Sequence, residues 1–253
     1  MPFLFRATPQ HGNRQAGLIA RKPTRQAAGH SRDHPAGTLD ATKPTQRVTR
    51  TQPSGQYALV YPDRDLASDA RGPTLRTQRL VLRRWRAEDL APFAELNADP
   101  DVMAHMQKTM SREESDAFVA RIEEEFDDCG FGLWAVEAPN HSPFIGFVGL
   151  HRVPFDAPFT PAVEVGWRVA REHWGYGFVT EAARSAVRYG LEEVGLDEIV
   201  SFTNPDNVRS WKVMERLGMI RDPASDFEHP NVPTGHWLRP HIFYRFPPAA
   251  PSP

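Results

Sequence analysis

The chain has 253 residues, of which 40% are hydrophobic and 25% are charged, as in an ordinary soluble globular protein. Its net charge of -2 favours neither a nucleic-acid-binding protein nor a strongly acidic one, and its single cysteine, Cys129, excludes an intramolecular disulfide and a cysteine-based zinc cluster. No apolar run approaches the roughly 18 residues that cross a membrane, so we expect a cytoplasmic protein with no membrane partner.

The first 72 residues differ in charge from the remainder. Residues 1–72 carry 11 basic and 5 acidic side chains, whereas residues 73–253 carry 19 basic and 27 acidic ones. No apolar period runs through residues 1–72, so we predict that they form a disordered basic extension. Its role stays open among an extension without function, a targeting peptide and a basic arm that contacts nucleic acid. Residues 248–253 are predicted to be a disordered tail, which leaves one folded domain at 73–247.

The folded part is predicted to begin with a strand and two helices. Residues 79–85 alternate as a strand does, and residues 87–96 begin with acidic side chains, as a helix N-terminus prefers. The second helix is predicted to begin at Ser111, which forms an S-x-x-E capping-box pattern with Glu114, and to end at Gly130.

The second half of the folded part contains the remaining strands, with two helices among them. Strands are predicted at 131–137, 144–150, 163–169, 199–203 and 242–246. Helices are predicted at 180–194 and 208–217, and residues 222–240 are predicted to be a long polar loop. This order of elements predicts an α/β (α+β) domain with one mixed central sheet.

A glycine-bearing turn is the first motif that indicates chemistry. The strand at 163–169 runs into a turn that carries Gly175 and Gly177, and a helix follows. Backbone N–H groups at such a junction can approach a diphosphate, aided by the helix dipole. The turn alone is a weak signal, because a plain tight turn has the same pattern. It lacks the Lys-Ser/Thr of a P-loop and the third glycine of a dinucleotide-binding motif.

Two further features strengthen this interpretation. Asn207 and Ser210 lie between a strand and a helix, where each either caps the helix or hydrogen-bonds a ligand. Glu164 and Gly166 lie in the strand before the turn, and a glycine inside a strand often marks a close backbone approach.

These residues together resemble the GNAT acetyltransferase superfamily, in particular its RimJ/RimL-like branch. The resemblance covers residues 75–246. It is carried by Glu-Val-Gly-Trp at 164–167, by His-Trp-Gly-Tyr-Gly-Phe-Val-Thr-Glu-Ala at 173–182, by the segment at 207–219 and by the opening at 75–84. The combination is specific, although no single motif is.

The resemblance implies acetyl-CoA as cosubstrate and a primary amine, either a protein N-terminus or a small molecule, as acceptor. It implies that the strands at 163–169 and 199–203 splay apart, with the pantetheine arm between them and the diphosphate on the turn. The cofactor-binding residues that it implies are Trp167, Val169, Trp174, Gly175, Tyr176, Gly177, Phe178, Val179, Thr180, Asn207 and Ser210. The family usually has Gln or Arg where this chain has Glu172, so we expect that carboxylate to point away from the diphosphate.

The chemistry that the resemblance implies is direct attack of the amine on the thioester, with no covalent enzyme intermediate and no metal. Glu164 matches a carboxylate that often acts, through water, as general base. Ser210 is the candidate that protonates the leaving thiolate, and water is the alternative. Cys129 is not expected to be a nucleophile.

Two other functions remain open on the sequence. One is a non-catalytic acyl-CoA-binding regulatory module that keeps the glycine turn. The other acts on nucleic acid through the basic extension, although the charge balance gives a nucleic-acid partner little support. Three histidines, His229, His236 and His241, recur in the late polar loop, where metal binding, a place at the acceptor mouth and an ordinary loop role are the alternatives. The loop at 151–160 is a candidate wall of the acceptor site.

Overall fold

The computed structural model describes residues 73–246. The strands are β1 (Leu75–Arg76), β2 (Val81–Arg83), β3 (Leu133–Ala138), β4 (Ser142–Arg152), β5 (Val163–Val169), β6 (Val200–Thr203), β7 (Ile220–Arg221), β8 (Phe227–Glu228) and β9 (Pro240–Arg245). The α-helices are α1 (Leu90–Ala98), α2 (Arg112–Cys129), α3 (Phe178–Arg188) and α4 (Val208–Leu217). The predicted disorder at 1–72 and 248–253 lies outside the described residues.

The strands form one mixed sheet, as predicted. Its order is β1-β2-β3-β4-β5-β6-β9-β7, and β8 pairs with β9. The pairs are antiparallel except for β5 with β6, which run parallel and share a single residue pair, Glu164 with Val200. Beyond that pair the two strands continue to Val169 and Thr203 without further pairing. The strands therefore part in the middle of the sheet.

Helices cover both faces of this sheet. Phe93 of α1 and Phe118 of α2 pack on Phe147 of β4, each with ring centroids 5.9 Å apart. On the other face, Gly190 in the turn after α3 lies so close to Leu150 that an added Cβ would be 2.6 Å from the leucine Cδ1. Phe147 and Leu150 point to opposite faces because side chains alternate along a strand. The helices α1 and α2 thus cover one face, and the end of α3 covers the other.

Local capping patterns place the second helix as predicted. The Ser111 hydroxyl accepts a bond from the Glu114 N–H at 3.2 Å, and the Glu114 carboxylate accepts one from the Ser111 N–H at 2.9 Å. Gly130 ends the helix with φ 71°. Both predicted ends are confirmed, because each depends on residues close together in the chain.

Three predictions need correction, and the two-residue strands β1 and β7 were not predicted. The first helix opens with a 3-10 turn at Ala87–Asp89 before α1, and α3 begins at Phe178 and passes at Tyr189–Val194 into a wider π-type turn. The segment 222–240, predicted to be a loop, contains β8 and a 3-10 turn at Pro223–Ser225. A two-residue strand such as β8 has no period of its own, since its partner β9 supplies its hydrogen bonds.

Candidate active site

A cavity of about 770 Å³ lies beside the unpaired part of β5. Ten of the eleven predicted cofactor-binding residues line it, namely Trp167, Val169, Trp174, Gly175, Gly177, Phe178, Val179, Thr180, Asn207 and Ser210. Tyr176 does not line the cavity. The residue is 51% exposed, and its ring stacks on the Phe178 ring with centroids 5.4 Å apart. Residues of the segment between α1 and α2, among them His105 and Met106, close the cavity from another side.

The turn before α3 presents backbone rather than side chains to this cavity. Gly175 and Gly177 have φ values of 84° and 78°, in the left-handed region that favours glycine. Gly177 is the N-cap of α3, and no side chain caps the helix there. The first N–H groups of a helix have no partner within the helix. The turn and the start of α3 therefore offer donors and the positive end of a helix dipole to an anion.

Ser210 lies on the opposite wall, at the start of α4. The Trp167 indole N–H donates to the Ser210 Oγ at 3.1 Å, which leaves the hydroxyl proton available for another acceptor. The Asn207 Oδ1 accepts the Ser210 N–H at 3.3 Å, so Asn207 caps α4. The capping role that the sequence left open for Asn207 is confirmed, and Asn207 is also among the residues that line the cavity.

Glu164 is buried beside His151, which the sequence analysis considered only as the first residue of a candidate acceptor wall. The carboxyl group is 2% exposed, and its Oε2 lies 3.0 Å from the His151 Nε2. The two residues are partners in the β4–β5 register, which explains their contact. Burial raises the pKa of Glu164, although the bond from His151 opposes that shift. The structure does not bring Glu164 into the wall of the cavity.

Comparison with known proteins identifies the family. Residues 79–220 match the family model of the acetyltransferase (GNAT) domain. The chain belongs to the GNAT acetyltransferase family. It is 32% identical over 146 residues to the uncharacterized protein YkkB of Bacillus subtilis, a match that spans 57% of this chain and 84% of that protein.

A further relative agrees with the assignment to the GNAT family, and a solved structure shows the same fold. The uncharacterized N-acetyltransferase YnaD of Bacillus subtilis is 26% identical over 159 residues, with 58% of this chain and 83% of that protein covered. The crystal structure of the ribosomal-protein-S5-alanine acetyltransferase from Vibrio fischeri shares the fold, with a TM-score of 0.57 and 18% identity over 72% of this chain and all of that one. The GNAT domain and the relatives that are named N-acetyltransferases show that the chain is an acetyltransferase.

The GNAT fold uses acetyl-CoA as cosubstrate, and the charges around the cavity fit its phosphates. Arg209, Lys212 and Arg216 line the cavity from α4, and the Arg209 guanidinium lies 4.3 Å from the Trp174 ring centroid. The carboxylates among the lining residues are Asp101 and Asp206. Asp101 is ion-paired with Arg171. The three α4 cations lie within the motif at 207–219. Their place in the cavity lining was not predicted, because the sequence analysis considered only Asn207 and Ser210 in that motif.

The unusual carboxylate of this GNAT chain lies outside the cavity, as expected. Glu172 does not line it, and its side chain is 73% exposed. A second carboxylate near the turn, Glu181, is held by Thr77 at 2.6 Å and by Arg79 at 2.7 Å. Burial alone would raise the pKa of Glu181, but these hydrogen bonds lower it. The Arg79 guanidinium also donates to the Tyr176 carbonyl at 2.9 Å, so it fixes the glycine turn.

The remaining candidates of this GNAT chain lie elsewhere. Burial raises the pKa of Cys129 to about 11, so its thiol is protonated at neutral pH. His229 and His241 are buried with ring centroids 5.1 Å apart, and His236 stacks on Trp237. Within residues 73–246 no three His, Cys, Asp or Glu side chains are arranged to hold a metal ion, and no helix there is long and apolar enough to span a bilayer.

Proposed function

We propose that the chain transfers an acetyl group from acetyl-CoA to a primary amine by direct attack, without a covalent enzyme intermediate. The observation that carries the proposal is the glycine turn, which opens on a large cavity at the place where β5 and β6 part. Acetyl-CoA supplies a thioester when it is bound. The protein's own share of the work is to bind, to orient and to manage protons.

The predicted cofactor-binding residues form two parts, an anion site at the glycine turn and the unpaired edge of β5. The N–H groups at 175–180, together with Arg209 and Lys212 in the lining of the same cavity, suit a diphosphate. The unpaired edge of β5 at Trp167 and Val169 offers backbone groups to an extended ligand, as a further strand would use them. This arrangement supports a donor that lies along β5 with its phosphates at the start of α3.

Proton transfer is assigned to two side chains. An amine must lose a proton to attack, and a buried carboxylate with a raised pKa is a better base near neutral pH than an exposed one. Glu164 is that carboxylate, and it would reach the amine through water because it does not line the cavity. Ser210 keeps its hydroxyl proton for the leaving thiolate.

The acceptor is assigned only to the class of primary amines. We place the chain in the RimJ/RimL-like branch, and the shared fold with an enzyme named for ribosomal protein S5 supports that placement. A protein N-terminus and a small amine are the two acceptors to compare. A cytoplasmic location, where acetyl-CoA and both kinds of acceptor occur, remains part of the proposal.

A thiol-release assay tests the function. Purified protein is mixed with acetyl-CoA and a panel of peptides with free N-termini and small amines, and coenzyme A is measured. We expect turnover with part of the panel and a fall in kcat of about 100-fold in Glu164→Gln, with the Kd for acetyl-CoA unchanged. Glu124→Gln is the matched control, since that carboxylate lies on α2, is exposed and is outside the cavity.

A non-catalytic acyl-CoA-binding module is the second candidate. It is favoured by one observation, the absence of Glu164 from the cavity wall. Such a module would bind acetyl-CoA and release no thiol with any amine of the panel. Equal kcat values for the native protein and Glu164→Gln would instead show that the chain is an enzyme in which Glu164 is not the general base.

A further inference from the structure

One arginine in the cavity wall is buried without an opposite charge. Arg168 of β5 is 5% exposed, yet it is among the residues that line the cavity. It is paired with Phe147 in the β4–β5 register and so lies on the face that α1 and α2 cover. Arginine is almost never so buried unless its charge is paired.

The partners of this guanidinium are neutral. They are the Asn97 Oδ1, the thioether sulfurs of Met110 at 3.7 Å and Met106 at 3.8 Å, and the rings of Phe147 at 5.5 Å and Phe118 at 5.8 Å. The Arg168 Nε has no hydrogen-bond partner. Among residues 73–246 no carboxylate lies within ion-pair distance of Arg168, unlike buried Arg83, which Asp89 holds at 2.7 Å. Thioethers accept hydrogen bonds only weakly.

A buried cation of this kind is costly to the folded protein, because it has lost its hydration and gained no counter-charge. Burial lowers the pKa of Arg168 to about 10, so the group still carries its charge at neutral pH. Arg168 and Met106, whose sulfur contacts the guanidinium, both belong to the cavity lining. An anion that entered the cavity would supply the missing partner.

That anion is distinct from the diphosphate of the cosubstrate. Trp167 and Arg168 are neighbours on β5 and point to opposite faces of the sheet. The Trp167 indole reaches Ser210, on the side of α4 and its cations. Arg168 points to the segment between α1 and α2, where Met106 both touches it and lines the cavity. A monoanion balances its single charge, and a carboxylate matches the planar guanidinium fork.

We propose that Arg168 binds a carboxylate of the acceptor, so that the acceptor is an amine that also carries a carboxylate. The inference rests on the proposed function, since it assigns the substrate class of the same site. Arg209, Lys212 and Arg216 of the lining are assigned to the phosphates of acetyl-CoA, which leaves Arg168 as the lining cation for the acceptor. The movable Met106 side chain would yield to the incoming group.

Binding without turnover is the first test. The melting temperature is measured with glycine, 4-aminobutyrate and 6-aminohexanoate, each against its own carboxamide. We expect at least one acid to raise the melting temperature of the native protein while its amide does not, and Arg168→Met to abolish the difference. The matched control Arg112→Met removes an exposed arginine that is 2.8 Å from Asp116, and it should keep the response. Equal responses to every acid and its amide, or an unchanged response in Arg168→Met, would overturn the proposal.

Turnover is the second test, and it separates the two levels of inference. The kcat/KM of the preferred acid should exceed that of its amide at least tenfold in the native protein, and Arg168→Lys, which keeps the charge but not the fork, should lose most of that ratio. Acetylation of neutral amines with no preference for acids would refute the role of Arg168 and leave the acetyltransferase intact. If carboxylate binding depends on Arg168 but no amine causes release of coenzyme A from acetyl-CoA, the proposed function is refuted. The carboxylate site at Arg168 would then still stand.

Discussion

At the scale of single residues, the site depends on how Glu164 and His151 share a buried environment. Burial raises the pKa of Glu164, and the hydrogen bond from His151 opposes this shift. Replacing His151 with Phe removes the opposing contribution, so the pKa of Glu164 should rise further. The acid limb of the pH profile of kcat/KM should then move to higher pH, and the rate below that limb should fall. An acid limb that stays in place would show that Glu164 is not the titrating base.

A second prediction at this scale concerns the conformation of the glycine turn. Gly175 has φ 84°, and the space that a Cβ would occupy there is open, so alanine is strained only by its backbone, at a cost of about 1 kcal/mol. The added methyl also stands beside the N–H groups of the anion site. Gly175→Ala should therefore lower the melting temperature slightly and weaken acetyl-CoA binding about tenfold, as calorimetry would measure.

Gly195 provides the matched control for this prediction. It has φ 79° and open space too, but it lies at the end of the π-type turn, away from the cavity lining. Gly195→Ala should have the same stability cost without a change in affinity. An equal loss of affinity in both variants would mean that the turn acts through general stability and not through a ligand.

At the scale of elements, the first hairpin is tied to α3 by side chains. Arg79, next to β2, forms an ion pair with Glu181 of α3, donates to the Tyr176 carbonyl and lies over the face of the Phe178 ring. The ion pair between Arg79 and Glu181 is partly exposed, so its contribution to global stability should be below about 1 kcal/mol. Arg79 should have a larger effect on the conformation of the glycine turn, because its guanidinium contacts both Tyr176 and Glu181, the two ends of the segment 176–181.

Arg79→Met should therefore loosen the turn more than the fold. We expect faster amide hydrogen exchange in residues 175–181, a several-fold weaker Kd for acetyl-CoA and a nearly unchanged melting temperature. Arg112→Met, which breaks an exposed pair within α2, is the control. Exchange rates at the turn that match those of this control would contradict the prediction.

The ends of α2 could be predicted from the sequence. Each end depends on residues within four positions of one another, so Ser111, Glu114 and Gly130 were correctly assigned. The strands β7 and β8 were missed because a two-residue strand is defined by its partner. His151 and Arg79 were missed for a similar reason. Each acts on a residue that the strand register or the tertiary fold brings close, and the segments at 75–84 and 151–160, which contain them, do not show which residue that is.

At the scale of the whole domain, the parting of β5 and β6 follows from the complete sheet. Ser201 of β6 donates its hydroxyl to the Val165 carbonyl at 3.0 Å, where backbone pairing has already stopped. On its other side β6 is held by β9 over four residue pairs. A strand bound firmly on one side only can leave a gap on the other. The periodicity of either strand does not contain this information, and only the resemblance to GNAT proteins predicted it.

A second hydrophobic cluster, built around Val200, Phe202 and Phe243, packs beside two buried histidines, which should make the folded domain less stable in acid. His229 and His241 are 1% and 3% exposed and contact rings of Phe155, Phe202 and Phe227. Burial lowers the pKa of His229 to about 4 and that of His241 to about 3. Both imidazoles are therefore neutral in the folded protein at pH values where an unfolded chain would protonate them.

The sign of the pH dependence follows from linkage. Between pH of about 6.5 and about 4 the unfolded state binds more protons, so the free energy of unfolding falls as the pH is lowered, by at most about 1.4 kcal/mol per pH unit for each histidine. Above about 6.5 this contribution is fully present. In urea titrations from pH 7 to pH 4.5, His241→Phe should flatten the decline, since phenylalanine fits an aromatic cluster and cannot take a proton. His141→Gln removes an exposed histidine and should leave the slope of the native protein. An unaltered slope in His241→Phe would mean that the loss of stability in acid arises in carboxylates and not in the buried histidine pair.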